Sequence, residues 1–312
     1  MENLILSFNV VLPLFLMMIL GYGIKKINMF DEVTLKSMNS ITFKIFLPTL
    51  LFYNVYKTDL GGVFNPQLIS FAALSIIITF SILCLLIPII EKDNSKRGVI
   101  IQGIFRSNFV IFGIPVIVSL FGDGYSGVTS LLIAVVVPIF NMLAVCSLEI
   151  FRGGKINVKN IIKGVITNPL IIASALGLIF LFLGIKLPTP IEKTVSDVSK
   201  IATPLSLILL GGSFKFSSYK NYIKPLIITV IGRLIIVPSI FVPLAVSFGF
   251  RGVELACLLI MWSAPTAVSS FTMAQQMDAD SELAGQIVVF TSGLSVLTVF
   301  LWIFVLKTLA LI

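Results

Sequence analysis

Mostly apolar runs of about twenty residues follow one another along almost the whole chain, with short polar connections between them. They lie at about 4–26, 32–56, 66–90, 98–121, 126–151, 158–185, 191–213, 222–248, 252–276 and 283–309. A hydrocarbon layer some 30 Å thick takes about twenty helical residues to cross. Inside it every backbone N–H and C=O must find its partner within the chain, which a helix achieves. The sequence therefore reads as an all-α polytopic membrane protein with ten transmembrane helices. Of its 312 residues 57% are hydrophobic and 12% charged, too little polar surface for a soluble protein of this size. The runs at 32–56 and 191–213 open on amphipathic, polar stretches (DEVTLKSMNS and IEKTVSDVSK) and are the least regular members of the set. No connection has room for a soluble domain.

The first run begins at Leu4 with only Glu2 charged before it, so it lacks a basic leader and reads as a retained span. Histidine is absent, which removes the commonest metal ligand and the easiest proton shuttle. Cys84, Cys146 and Cys257 fall in separate runs and form no CxxC pair, so they read as packing residues. Neither a metal nor a cofactor is expected, and an enzyme is not. The formal charge of +8 does not point to nucleic acid, because the basic residues sit in short loops where they set orientation. Lys25, Lys26, Lys36, Lys92, Lys96, Arg97, Arg152, Lys155, Lys159, Lys215, Lys220 and Lys224 belong to the odd-numbered connections, against Lys57, Lys186, Lys193, Arg251 and Lys307 on the other side. Both termini are thus expected outside a cell membrane, although the last odd-numbered loop, MDADSE, is acidic.

Prolines hint at a duplication. Pro13 and Pro48 are 35 residues apart, as are Pro169 and Pro204 in the second half. Arg97-Gly98 opens the fourth run and Arg251-Gly252 the ninth, and each is followed by a mid-run proline, Pro115 or Pro265. The expected units are residues 1–152 and 156–312, each of five helices. An odd number of crossings inverts the second copy, and inverted repeats suit transporters that alternate between two facings.

Charges at membrane depth are costly and usually functional. The acidic residues lie at run ends or in loops, whereas Lys44, Arg106 and Arg233 lie deeper. Buried cations without buried carboxylates favour an anionic ligand, unless these side chains reach the headgroups or tie helices to backbone carbonyls. In RSNFVIFGIPV, Gly113 and Pro115 are expected to interrupt the helix, since proline lacks an N–H and clashes with the preceding turn. MWSAPTAVSSF repeats the device around Pro265, flanked by Ser263, Thr266, Ser269 and Ser270. Half-helices that begin at such breaks aim positive N-terminal ends inward, and their free amides with Ser, Thr or Asn can hold a carboxylate. Simple proline kinks are the plainer alternative. Asn168-Pro169 in TNPLIIASALGL reads either as a helix cap or as a third polar feature of the site. Asn141 reads as an interhelical hydrogen-bonding residue and Asn54 as part of the outer interface.

At these residues the chain resembles the auxin efflux carrier family, which holds plant auxin carriers and bacterial proteins described as malate or malonate permeases. The likeness covers essentially the whole chain and is most specific in RSNFVIFGIPVIVSLFG, in SAPTAVSSFTMAQQM and in the Asn-Pro of TNPL. It implies two inverted five-helix repeats whose fourth and ninth helices are broken and cross, as in sodium/proton antiporters. It also implies a transport domain mainly at 66–151 and 222–312, and a scaffold or dimer domain mainly at 1–60 and 158–213. The resemblance points to Asn108 and Asn168 as carboxylate contacts and to Pro115 and Pro265 as the crossing. The short FRGGKINVKN between the halves and Arg106 depart from the plant pattern, which makes a small carboxylate a better expectation than auxin. The expected function is secondary transport of a small organic anion, a mono- or dicarboxylate, across the lipid bilayer by a homodimer. The expected substrate-binding residues are Arg106, Asn108, Gly113, Pro115, Asn168, Ser263, Pro265 and Thr266. The alternative is a cation- or proton-coupled carrier of the same fold with a different substrate.

Overall fold

The computed structural model describes residues 2–58, 65–152, 158–214 and 222–312, which are helical almost throughout. The first half contains α1 (Glu2–Lys26), α2 (Glu32–Ile41), α3 (Leu47–Tyr56), α4 (Pro66–Ile90), α5 (Asn94–Phe105), α6 (Phe109–Phe121) and α7 (Ser126–Phe151). The second contains α8 (Val158–Ile166), α9 (Pro169–Phe182), α10 (Thr189–Ser213), α11 (Ile223–Ile231), α12 (Val237–Ser247), α13 (Gly252–Ser263), α14 (Ser269–Gln276) and α15 (Ser281–Thr308). Among the described residues, five helices are individually long and apolar enough to cross a membrane: Phe8–Lys26, Pro66–Ile90, Gly127–Phe151, Ile223–Ser247 and Ser281–Thr308.

The polar connections supply the helix starts. Asp31 accepts from Thr34 N at 2.6 Å, Asn65 from Gln67 N at 3.0 Å and Leu68 N at 3.1 Å. Asp93 accepts from Ser95 N at 3.0 Å and Asp280 from Leu283 N at 2.9 Å. Each side chain satisfies amides that have no partner within the first turn. Two apolar runs pass through a π-helical turn rather than a break, at Thr42–Phe46 between α2 and α3 and at Gly232–Ile236 between α11 and α12. Such turns shift the helix face by one residue and often mark functional places. Lys44 lies in the first and is exposed; Arg233 lies in the second and is fully buried.

Close helix crossings rest on glycine. A Cβ on Gly21 would fall 1.9 Å from Ile208 O, and one on Gly211 would fall 1.9 Å from Met18 O. Backbone touches backbone where α1 crosses α10, so only hydrogen fits at these two positions. At the centre α13 is apolar on every side, and its residues from Leu255 to Ser263 are all buried. A helix of that kind belongs in a core. By contrast α4 leaves Leu74, Leu85 and Ile89 exposed, an apolar flank suited to lipid. The three cysteines are free; Cys257 is buried and the other two are partly buried.

Candidate binding site at two paired helix breaks

α5 stops at Phe105 and α6 starts at Phe109; α13 stops at Ser263 and α14 starts at Ser269. The second break is written in local sequence. Pro265 has no N–H to continue the ladder and pushes Ala264 into extended backbone (φ −63°, ψ 150°). The first break contains no proline. Its three residues are held open by the second: Ser107 pairs with Thr266 in an antiparallel bridge. Asn108 N donates to Pro265 O at 2.8 Å, and Ala267 N to Arg106 O at 3.4 Å. Two short extended segments thus give each other part of the pairing that their helices no longer supply.

This corrects the expectation for Gly113 and Pro115. Both lie inside α6, which runs on to Phe121, and the chain is interrupted before them at Arg106–Asn108. A proline within a helix removes one hydrogen bond and can be absorbed as a bend. Leaving the helix altogether needs other partners for several backbone groups, and those lie beside Pro265. Gly113 instead admits a close neighbour: a Cβ there would stand 2.8 Å from Thr129 Cγ2 of α7.

Two arginines flank the breaks and are handled differently. Arg233 donates from Nε to Ala264 O (2.8 Å), from Nη1 to Ile104 O and Phe105 O (3.1 Å each) and from Nη2 to Met261 O (2.7 Å). These carbonyls belong to the ends of α5 and α13, so one guanidinium closes both helix C-termini. Arg106 donates from Nη2 to Asn141 Oδ1 (2.6 Å) and Ser269 Oγ (2.7 Å), and from Nη1 to Ser270 Oγ (3.2 Å) and Met273 Sδ (3.0 Å). All four acceptors are neutral, and among the described residues no carboxylate pairs with this cation. Ser269 and Ser270 form the first turn of α14, whose end is itself positive. A buried cation beside a positive helix end makes a strongly positive spot.

Beside it lies a cavity of about 80 Å³ lined by Arg106, Ser107, Asn108, Asn141 and Ser269, together with Asn54 of α3 and Ser206 of α10. Buried polar atoms around it have no hydrogen-bond partner: Asn108 Nδ2, Asn54 Nδ2, Ser107 Oγ and Ser206 Oγ. Unpaired buried polar groups are rare in folded proteins and call for a ligand or water. The space holds a handful of water-sized groups.

The expected site residues are therefore only partly brought together. Arg106 and Asn108 line the cavity. Pro265 and Thr266 form the opposing break without lining it. Thr266 is used structurally, its hydroxyl donating to Gly103 O at 2.7 Å and its amide to Thr291 Oγ1 at 3.2 Å. Ser263, at the end of α13, is fully buried with its hydroxyl unpartnered. Asn168 caps α9 by accepting from Leu170 N at 3.0 Å and is not among the cavity-lining residues. Asn54 and Ser206 were not expected there. The signal available in sequence was slight: polar residues within apolar runs, with Thr203 and Ser206 three apart on one helix face.

Comparison with known proteins agrees with a membrane carrier. A family model described as a membrane transport protein matches residues 6–303. An "Uncharacterized transporter" of Methanocaldococcus jannaschii is 26% identical over 94% of this chain and 97% of its own length. One from Methanothermobacter thermautotrophicus is 25% identical over 96% of this chain and 98% of its own. A "Putative malonate transporter" of Rhizobium meliloti is 25% identical over 42% of each chain.

Proposed function

The chain belongs to the membrane transport protein family that includes the auxin efflux carriers, and from that premise we propose that it is a secondary transporter of a small organic anion, bound in the cavity at the paired breaks. The observation that carries this reading is the buried Arg106 guanidinium, which meets only neutral acceptors at the edge of that cavity. A carboxylate entering there supplies the missing counter-charge. The free amide nitrogens of Asn108 and Asn54 supply further donors. A space of about 80 Å³ suits a molecule of a few heavy atoms and excludes a bulky one.

In this reading ten helices cross the cell membrane as two inverted five-helix repeats, with both termini outside. α5–α6 and α13–α14 form the crossing pair of an antiporter-like fold. α1, α10, α3 and α9 form the stationary scaffold of a homodimer, and the remaining helices carry the cavity between its two facings. A cation- or proton-coupled carrier is the competing reading, and it needs an ionisable carboxylate beside the breaks. The name of the Rhizobium relative makes malonate a sensible early probe.

The test is flux into proteoliposomes of purified protein, with labelled mono- and dicarboxylates, with and without a sodium or proton gradient. Saturable uptake with counterflow is expected, reduced in Arg106→Gln and Asn108→Ala. Unaltered flux in both variants would remove the anion site from this cavity. Saturable movement of cations without any anion would replace the reading by its competitor.

A further inference from the structure

Four half-helices end at the breaks, and their partial charges oppose one another. The N-termini of α6 and α14 each present about half a positive charge, and the C-termini of α5 and α13 about half a negative charge each. Left to themselves the four ends would nearly cancel, giving a cavity with little preference for either sign. Arg233 changes that sum. Its one full charge falls on the two negative ends, through four carbonyl contacts of 2.7 to 3.1 Å. Among the described residues it pairs with no carboxylate, and it is not one of the cavity-lining residues.

We infer that Arg233 is a specificity-determining residue: by neutralising the C-termini of α5 and α13 it leaves the N-termini of α6 and α14, together with Arg106, to select anions by their charge. Arg106 then acts by contact and Arg233 through the field. The inference rests on the cavity being the anion site. It adds that selectivity depends on a side chain the substrate never meets. A residue that merely held the helices together would alter affinity for all ligands alike. A field acts in proportion to ligand charge, so the loss factor for a dianion is the square of that for a monoanion.

The experiment measures binding to purified protein by calorimetry, with acetate and propionate as monoanions and malonate and succinate as dianions, at a pH where both carboxyls are ionised. In Arg233→Gln the expected losses are roughly threefold for the monoanions and roughly tenfold for the dianions. Arg233→Lys keeps the charge but not the planar fork, and its dianion-to-monoanion affinity ratio should match that of the parent near neutral pH. A buried lysine loses its proton at a pH where arginine does not, so this ratio should fall between pH 6.5 and 10 in Arg233→Lys and stay level in the parent protein. The lysine titration decides the matter even where Arg233→Gln does not fold, because both states belong to one folded protein. Equal losses for mono- and dianions in Arg233→Gln, or a level ratio across that range in Arg233→Lys, overturn the inference. Absence of anion binding by the parent protein is a different failure: it removes the transport site, and this inference with it.

Discussion

Arg106 and Arg233 are both buried and both sit against the same pair of helix breaks, yet they solve opposite problems. Arg233 comes from a π-helical turn and spends its donors on carbonyls of α5 and α13, so its charge is matched by partial negative charges already present. Arg106 is the first residue of the first break, and its donors go to hydroxyls, an amide oxygen and a sulfur. Among the described residues no carboxylate pairs with it. The lesson is that burial of an arginine says little about role. The chemistry of its acceptors separates an arginine that acts through helix ends from one that binds by contact, since an uncompensated buried charge is costly until a partner arrives.

Substitution at Arg233 should produce the largest effect on stability. Arg233→Leu strips donors from four buried carbonyls and should cost about 3 kcal/mol or more, read as a drop in thermal unfolding temperature in detergent. An unfolding temperature close to that of the parent would erase the contrast between the arginines. Arg106→Gln should do the reverse. Its stability should stay within about 1 kcal/mol of the parent, because removing an uncompensated charge offsets the lost hydrogen bonds. Its carboxylate affinity should fall roughly tenfold to a hundredfold in the same calorimetric assay.

The asparagines sharpen the comparison at smaller scale. Asn108 has an unpartnered amide nitrogen at the cavity, so Asn108→Ala should weaken carboxylate binding about tenfold with little change in stability. Asn168 caps α9, so Asn168→Ala should cost about 1 kcal/mol of stability and leave binding within about twofold. An Asn168→Ala protein that folds normally but binds no anion would place Asn168 in the site after all. The smallest effect belongs to Pro115. It lies inside α6 and away from the break, so Pro115→Ala should retain uptake within about twofold of the parent. Loss of uptake there would give Pro115 a part in transport that its place inside α6 does not predict.

Much of the helical layout was legible in the residues. Apolar runs of a length fixed by the hydrocarbon layer, closed by Asp or Asn caps, could hardly fold otherwise, and helix occupies each of them in one piece or in segments. The second break was legible too, because Pro265 forces it locally. The first was misplaced because Pro115 is the only proline in its run. The actual interruption at Arg106–Asn108 has no breaker of its own and exists through its pairing with residues more than a hundred positions away. Asn54 and Ser206 were missed as cavity residues for a similar reason: each is an ordinary polar residue in an apolar run until α3 and α10 bring it against the break.

By itself, then, the sequence determined that this chain lives in a membrane as helices, where most of those helices begin, and that Arg106 and Arg233 rather than carboxylates are buried. Hydrophobic run length and proline chemistry are local properties and can be read locally. Only the tertiary structure decided where the first helix opens and which arginine faces a cavity. Those outcomes depend on which backbone carbonyls and amides are left without partners when distant segments meet, and no residue announces that on its own.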